Sequence, residues 1–423
     1  MSFLRTLKLS AFAAAERTRL FARVGASRWR QDRLLILCYH GVALRDEHEW
    51  SEAHVSEAHL ARRLQMLRDD GCSILSLSDA VERLAARELP PRSVVLTFDE
   101  GMYDFYVKAY PLLRAHDAPA TVYVPTYYTT RRHPIFDLGC SYLLWRGRGQ
   151  FVDTGRLLAS PRRLRIPTEQ AARDALHLEM RAHVNEAGFP AREKDEMLAA
   201  LSAQIGVDWN AFLSERMLQL MSPDELASLD RRLVDVQLHT HRHRTPRRRG
   251  LFVKELHDNV MALEAMGFQR DRLRHFCYPS GDADPQFYPW LSEMGIKSAT
   301  TCEPNYATRA RSPFDLPRLV DTMRVTDTEF RAWTSGVAAW MPRRRHSPPP
   351  GEVEPPSLVA ADADGAQPAD FVRPRGAVVM DSAVPIPLHR QTRHGFSAGV
   401  ATVVRMDRRT TVTTPVQPPG TAG

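Results

Sequence analysis

Cysteine is scarce and unpaired in this chain. The five cysteines, Cys38, Cys72, Cys140, Cys277 and Cys302, are odd in number and irregularly spaced, with no CxxC pair. That excludes a disulfide framework and a cysteine zinc site, and favours a reducing compartment. Long apolar runs are also missing. Nothing approaches the roughly 20 residues that span a bilayer, so no transmembrane segment is expected. No GxGxxG follows the first predicted strand, which leaves a dinucleotide-binding fold without support. Acidic residues are the minority, 50 against 57 Lys and Arg, for a net charge of +7. The excess is gathered in clusters, Arg242 to Arg249 and Arg343-Arg344-Arg345. These lack interleaved aromatics, so they read as solvated charge and no nucleic-acid partner is expected.

What is present suits a soluble globular protein. The 423 residues, 43% of them hydrophobic, allow one large domain with extensions, or two domains. Residues 1–33 read as a basic amphipathic helical segment. The longest apolar stretch there, Ala11 to Ala15, is too short for an export signal, so the expected location is cytoplasmic. The segment is expected to pack on the domain, with peripheral membrane-surface contact as the alternative.

From Leu34 onward short apolar runs alternate with helical patterns. Strands are predicted at Leu34 to Tyr39, Val94 to Phe98, Ala120 to Val124, Val234 to Leu238, Leu273 to Tyr278, Lys297 to Thr301 and Leu316 to Val320. Helices are predicted over Ser56 to Asp70, from a Ser78 cap through Leu89, over Asp104 to His116, and from a capping box at Ser222 to Glu225. Others run up to Met266, from Pro285 to Met294 and from Thr326 to Trp340. Residues 126–220 break the alternation. They read as a charged helical insertion without a clear strand. Strand–helix alternation implies a parallel sheet with helices outside, either open or closed into a barrel. After residue 340 proline, arginine and small residues dominate, and 341–423 is expected to remain a disordered tail.

Chemistry-bearing residues fall at the C-terminal ends of the predicted strands, where parallel α/β folds build their sites. Thr97-Phe98-Asp99-Glu100-Gly101 places two carboxylates after a buried strand, an arrangement that needs pairing, hydrogen bonds or a metal. His239-Thr240-His241-Arg242-His243 holds three histidines in five residues, and a pair at i and i+4 can converge on one ion. Tyr278-Pro279-Ser280-Gly281 is a stiff turn whose backbone N–H groups could face an oxyanion. His40, in Tyr39-His40-Gly41-Val42, lies at a further strand end.

This ordered set resembles the polysaccharide deacetylases, the NodB-homology or carbohydrate esterase family 4 group, over about residues 34–320. Thr97 to Gly101 resembles that family's TFDDG, His239 to His243 its H-[ST]-x-x-H, and Tyr278 to Gly281 its proline-containing motif. The resemblance implies an irregular (β/α) barrel at 34–340 and a metal-dependent hydrolase of non-peptide amide bonds acting on an N-acetylated carbohydrate. It makes Asp99 the general base. Glu100, His239 and His243 become ligands of a divalent metal, zinc, with cobalt or nickel as alternatives. The backbone around Ser280 would help hold the oxyanion, with His40 and Tyr278 also near substrate. An amidase for a small non-sugar substrate and an inactive glycan-binding homologue are the competing readings.

The chain departs from the family in three places. Glu100 stands where the family has Asp. Cys277 or Tyr278 stands where an arginine often tethers the base, and Arg274 is a possible substitute. Leu316-Pro317-Arg318 replaces the late Leu-x-His. Arg318 stays charged and cannot donate a proton, so it is expected to steady an oxyanion or a substrate carboxylate. Leaving-group protonation then falls to His40, His241 or water. Oligomeric state is not legible in the sequence.

Overall fold

A computed structural model of the chain describes residues 3–341. The expected tail, with its Arg343–Arg345 cluster, lies outside the described residues from 342 onward. One eight-stranded parallel sheet organises the remainder. Its strands are β1 Leu35–Tyr39, β2 Ser73–Leu75, β3 Ser93–Phe98, β4 Ala120–Val124, β5 Val234–Leu238, β6 His275–Cys277, β7 Ser298–Thr300 and β8 Leu319–Val320. The order is β7-β6-β5-β4-β3-β1-β8. β2 lies on the edge of β3 over Ser93 to Val95, and β4 on β3 from Leu96 to Phe98.

The two ends of this order meet. Leu316 bridges Thr300 in parallel sense, the Thr301 N–H donates to the Leu316 carbonyl at 2.9 Å, and β8 pairs with β1. The segment 313–320 therefore closes the sheet into an irregular (β/α) barrel. A sheet edge of unpaired N–H and C=O groups is satisfied by this irregular chain rather than by a full strand.

Residue parity separates two apolar layers, because side chains alternate along a strand. Leu35, Leu37, Tyr39, Val94, Leu96, Phe98, Val122, Val124, Val236 and Leu238 pack outward against helical residues such as Leu60, Leu64, Phe252 and Leu256. Ile36, Val95, Tyr123, Cys277 and Leu316 face inward, onto Leu77, Ala80 and Leu84 of the Leu77–Ala86 helix. Thr97 and Asp99 continue the inward parity of Val95 to the strand's C-terminal end. The barrel interior is thus apolar below and polar at the top.

Several elements depart from expectation. Ser76, not Ser78, caps the second helix, and the Ser78 hydroxyl meets His275 Nε2 at 2.8 Å. The helix after Asp104 opens as a π-turn over Phe105–Ala109 before Tyr110–His116. The insertion contains an antiparallel hairpin, Phe151–Asp153 with Arg163–Arg165, too short for a periodicity signal. The insertion buries its own core around Leu143, Met180 and Leu198 and returns beside the site, where the Met221 N–H donates to the Gly101 carbonyl at 2.9 Å. Gly336, at φ 100°, ends the last helix at Ser335.

Among the described residues, several charges of the N-terminal helix and of the 242–249 loop are paired. The Phe3–Arg17 helix meets the Asp327–Ser335 helix through Lys8–Glu329 at 2.7 Å and Glu16–Arg331 at 2.9 Å. In the 242–249 cluster Arg242 and Arg244 engage Glu255, Arg247 engages Asp282 and Asp284, and Arg249 engages Glu293. Among the described residues no helix is long and apolar enough to cross a membrane.

Burial pushes the Asp235 carboxyl up to about 6, partly offset by the Gln237 amide at 2.9 Å. The unfolded chain ionises Asp235 first, so stability falls as pH rises from about 4 through about 6. Asp235→Asn is expected to raise stability at pH 7 by about 1–3 kcal/mol, with no gain near pH 4. Urea melts at the two pH values check this, and a gain that is equal at both would refute the charge argument.

Candidate metal centre and its base

The site sits at the C-terminal ends of β3, β5 and β6. The Glu100 Oε1 atom lies 2.8 Å from His243 Nε2 and 3.6 Å from His239 Nε2. The three potential ligand atoms all lie within 4.8 Å of one another. His239 Nδ1 is 2.9 Å from the Cys277 carbonyl oxygen. A carbonyl only accepts, so Nδ1 carries the proton and Nε2 presents its lone pair toward Glu100. This outer hydrogen bond is the usual way a protein sets the tautomer of a metal-binding histidine. Both Glu100 Oε2 and His243 Nε2 are buried without a well-directed hydrogen-bond partner. Such orphaned donors and acceptors are costly, and a cation between them would satisfy both.

The backbone is strained here. Glu100, Thr240 and His243 have φ of 69°, 59° and 56°, a region that non-glycine residues seldom enter. Strain of this kind persists only where surrounding contacts impose it. Two buried residues one turn apart on the Arg249–Ala265 helix impose it on the histidine loop. Asn259 accepts from the His239 N–H at 2.9 Å and donates to the Val124 carbonyl and Thr126 hydroxyl, both at 3.0 Å. Glu255 accepts from the Arg242 N–H at 2.8 Å. Sequence reading missed both, since nothing distinguishes them among other polar helix residues.

Burial alone would raise the Glu100 carboxyl, but His243 and His239 hold it well below the usual range. Burial likewise lowers His239, and Glu100 and Asp99 reverse it. Glu100 and His239 thus each offset the cost of burying the other.

Asp99 is separate from this trio. It is 3% exposed, and the fully buried Arg318 holds it by two parallel hydrogen bonds of 2.7 Å. Burial would raise its carboxyl, but Arg318 holds it well below the ordinary range. Arg318 also donates to the Thr97 hydroxyl at 3.0 Å, the Thr301 carbonyl at 2.9 Å and the Cys277 sulfur at 3.0 Å. This corrects two expectations. Arg318 is committed to Asp99 and leaves no fork for an oxyanion or substrate carboxylate. Arg274 is not the tether, since its Nε donates to the Asp271 carbonyl. The base-tethering guanidinium comes from the late segment that closes the barrel.

The remaining candidates divide. His40 is partly exposed, with Nε2 3.7 Å from Asp99 Oδ2. His241 points elsewhere. Its Nδ1 meets the Thr126 hydroxyl at 2.9 Å, and burial pulls it down to about 4. Tyr278 corrects another expectation. Its side chain packs in the outer layer against Phe276 and Phe287, its phenol donates to the Phe314 carbonyl at 3.0 Å, and its N–H donates to the Thr300 carbonyl at 3.3 Å. Ser280 is exposed, at φ 56°, in the turn Pro279–Gly281.

A family model described as polysaccharide deacetylase matches residues 86–140, the stretch that holds β3 and the Asp99-Glu100 pair. The chain resembles the polysaccharide deacetylases. That description names deacetylation of a polysaccharide as the reaction of the family this stretch is similar to. No curated protein matches the sequence. Solved structures aligned with it include the Streptococcus pyogenes deacetylase PplD in complex with acetate, 18% identical over 73% of this chain and 99% of that one, at TM-score 0.47. IcaB from Ammonifex degensii aligns at 18% identity over 72% and 97%, TM-score 0.45. The BpsB deacetylase domain from Bordetella bronchiseptica aligns at 16% over 69% and 96%, TM-score 0.40.

Proposed function

We propose that this deacetylase-like protein removes acetyl groups from an N-acetylated sugar or glycan, using a divalent ion, zinc in the first instance, held by Glu100, His239 and His243. The convergence of three ligand atoms, one of them on a histidine whose tautomer is set from behind, carries the reading. Two imidazoles and one carboxylate leave open positions on such an ion. When bound, the ion would supply Lewis-acid chemistry, acidifying water and polarising the acyl oxygen.

The chain's own groups divide the proton work. Asp99, kept ionised by Arg318, takes the proton from the attacking water. His40, on the solvent side of Asp99, donates a proton to the departing sugar nitrogen, because His241 is turned into the Thr126 contact. The exposed Ser280 backbone lies in the turn that supports the developing oxyanion. Glu100, longer than the family's Asp, still reaches both histidines.

The test pairs metal analysis with acetate release from N-acetylated sugars and oligomers. Purified protein should bind one ion, and Glu100→Gln should weaken that binding by roughly 100-fold or more, beyond what loss of an outer partner does. Metal-loaded protein that releases no acetate from any of them would overturn the substrate assignment. Unchanged metal affinity in Glu100→Gln would overturn the ligand assignment.

A further inference from the structure

Closure of the barrel gathers three thiols around the Asp99–Arg318 pair. The Cys38 thiol, at the end of β1, donates to Asp99 Oδ2 at 3.6 Å. The Cys277 thiol, at the end of β6, donates to the same oxygen at 3.5 Å. Cys302, just past β7, lies 3.4 Å from Arg318 Nη2. Cys38 is the largest influence drawing the Cys302 thiol down, which puts the two side chains within reach of one another. β1 and β7 lie near opposite ends of the strand order, so only closure through 313–320 brings these sulfurs together.

The three are not equivalent. Cys38 and Cys277 are fully buried, whereas Cys302 is partly exposed. It sits beneath the Pro279–Gly281 turn, where a Cβ on Gly281 would come within 3.5 Å of the Cys302 Cβ. Burial pushes the Cys38 thiol well up. The Cys38 contact and the Arg318 guanidinium instead bring Cys302 down to about 5, against burial. A partly exposed cysteine whose thiol is drawn down beside a guanidinium, with a second thiol nearby, is an arrangement that reacts with hydroperoxides. The hydrolytic reaction uses none of these sulfurs.

We propose that Cys302 is a modification site for hydrogen peroxide, with Cys38 as its resolving thiol. The Cys302 thiolate attacks one peroxide oxygen and the O–O bond breaks. Hydroxide leaves, so the peroxide is reduced and Cys302 becomes a sulfenic acid. The Cys38 sulfur then attacks the Cys302 sulfur, the S–O bond breaks, and the hydroxyl departs as water with the Cys38 proton. The resulting disulfide removes the Cys38 hydrogen bond to Asp99 and the Cys302 contact with Arg318. Asp99 keeps its pair with Arg318, but both members of that pair lose a sulfur contact that fixes their position, so the base shifts within the site.

The loss of activity rests on the deacetylase reading; the chemistry at sulfur does not. Metal-loaded protein is treated with peroxide, quenched, and mapped by mass spectrometry without reduction, with acetate release measured in parallel. A Cys38–Cys302 linked peptide is expected. Turnover should fall at least about tenfold relative to untreated protein, as for a displaced general base, and return with dithiothreitol. Cys302→Ser and Cys38→Ala, each compared with its own untreated rate, should lose the thiol-reversible inhibition. A sulfenic adduct, trapped with dimedone, should accumulate on Cys302 in Cys38→Ala. Absence of any Cys302 oxidation, or a bridge to Cys277 instead, would overturn the proposal. A linked peptide in protein that never releases acetate would support the modification and count against the deacetylase reading.

Discussion

Arg318→Leu is expected to be the most damaging single substitution in the barrel. Leucine removes a fully buried cation and leaves the Asp99 carboxylate without its two 2.7 Å hydrogen bonds. Breaking one side of a buried ion pair typically costs about 3–5 kcal/mol. Asp99, with its carboxyl held below the usual range, contributes stability that is present above the unfolded value and lost as pH falls through the folded one. The destabilisation should therefore be full at pH 7 and shrink in acid. Function should change in a distinctive way. Without Arg318, burial drives Asp99 toward its neutral form, so the acid limb of the rate profile moves to higher pH. Chemical denaturation and a pH–rate profile measure the two effects. A variant of unchanged stability and unchanged acid limb would show that the pair does neither job.

Asp99→Asn should separate the base from the metal. Turnover is expected to fall by roughly 10²–10⁴-fold, the usual contribution of a general base. Bound metal should be retained, because the ligand atoms belong to Glu100, His239 and His243. The amide cannot neutralise Arg318, so the measurements belong well below the variant's melting temperature. Loss of the metal together with activity would show Asp99 to be a ligand and would reverse the roles within the acidic pair.

The site was legible in the sequence wherever its residues are consecutive. Asp99 follows Phe98 on a buried strand, and His239 and His243 share one short loop, so local pattern was enough to bring them forward. The alternation of apolar runs likewise gave seven of the main strands to within a few residues, missing only β2. It could not give the order in which they pair. β2 and the insertion hairpin were illegible because, unlike the equally short β6 and β7, they are not buried on both faces and leave no apolar run, and the five-residue π-turn after Asp104 is too short to show its own period.

Arg318 shows what sequence proximity cannot supply. It lies 219 positions from Asp99, and in isolation it read as a group that steadies an oxyanion or a substrate carboxylate rather than as the tether of the base. Of the two positions where the family's arginine falls, Cys277 meets the same carboxylate as Arg318, and Arg318 arrives there because the late segment closes the barrel. Tyr278 misled for the opposite reason. Strand parity turns its ring outward, and its N–H is taken by the Thr300 carbonyl.

The sequence by itself determined the class of chemistry. Two carboxylates after a strand and two histidines four apart are residue types that chemistry selects, at spacings the local chain can bring together. Only the tertiary structure decided which of those groups are paired with which. A buried charge is settled by its nearest partner in space, and here the partners of Asp99 and Cys302 arrive from the far side of a closed sheet.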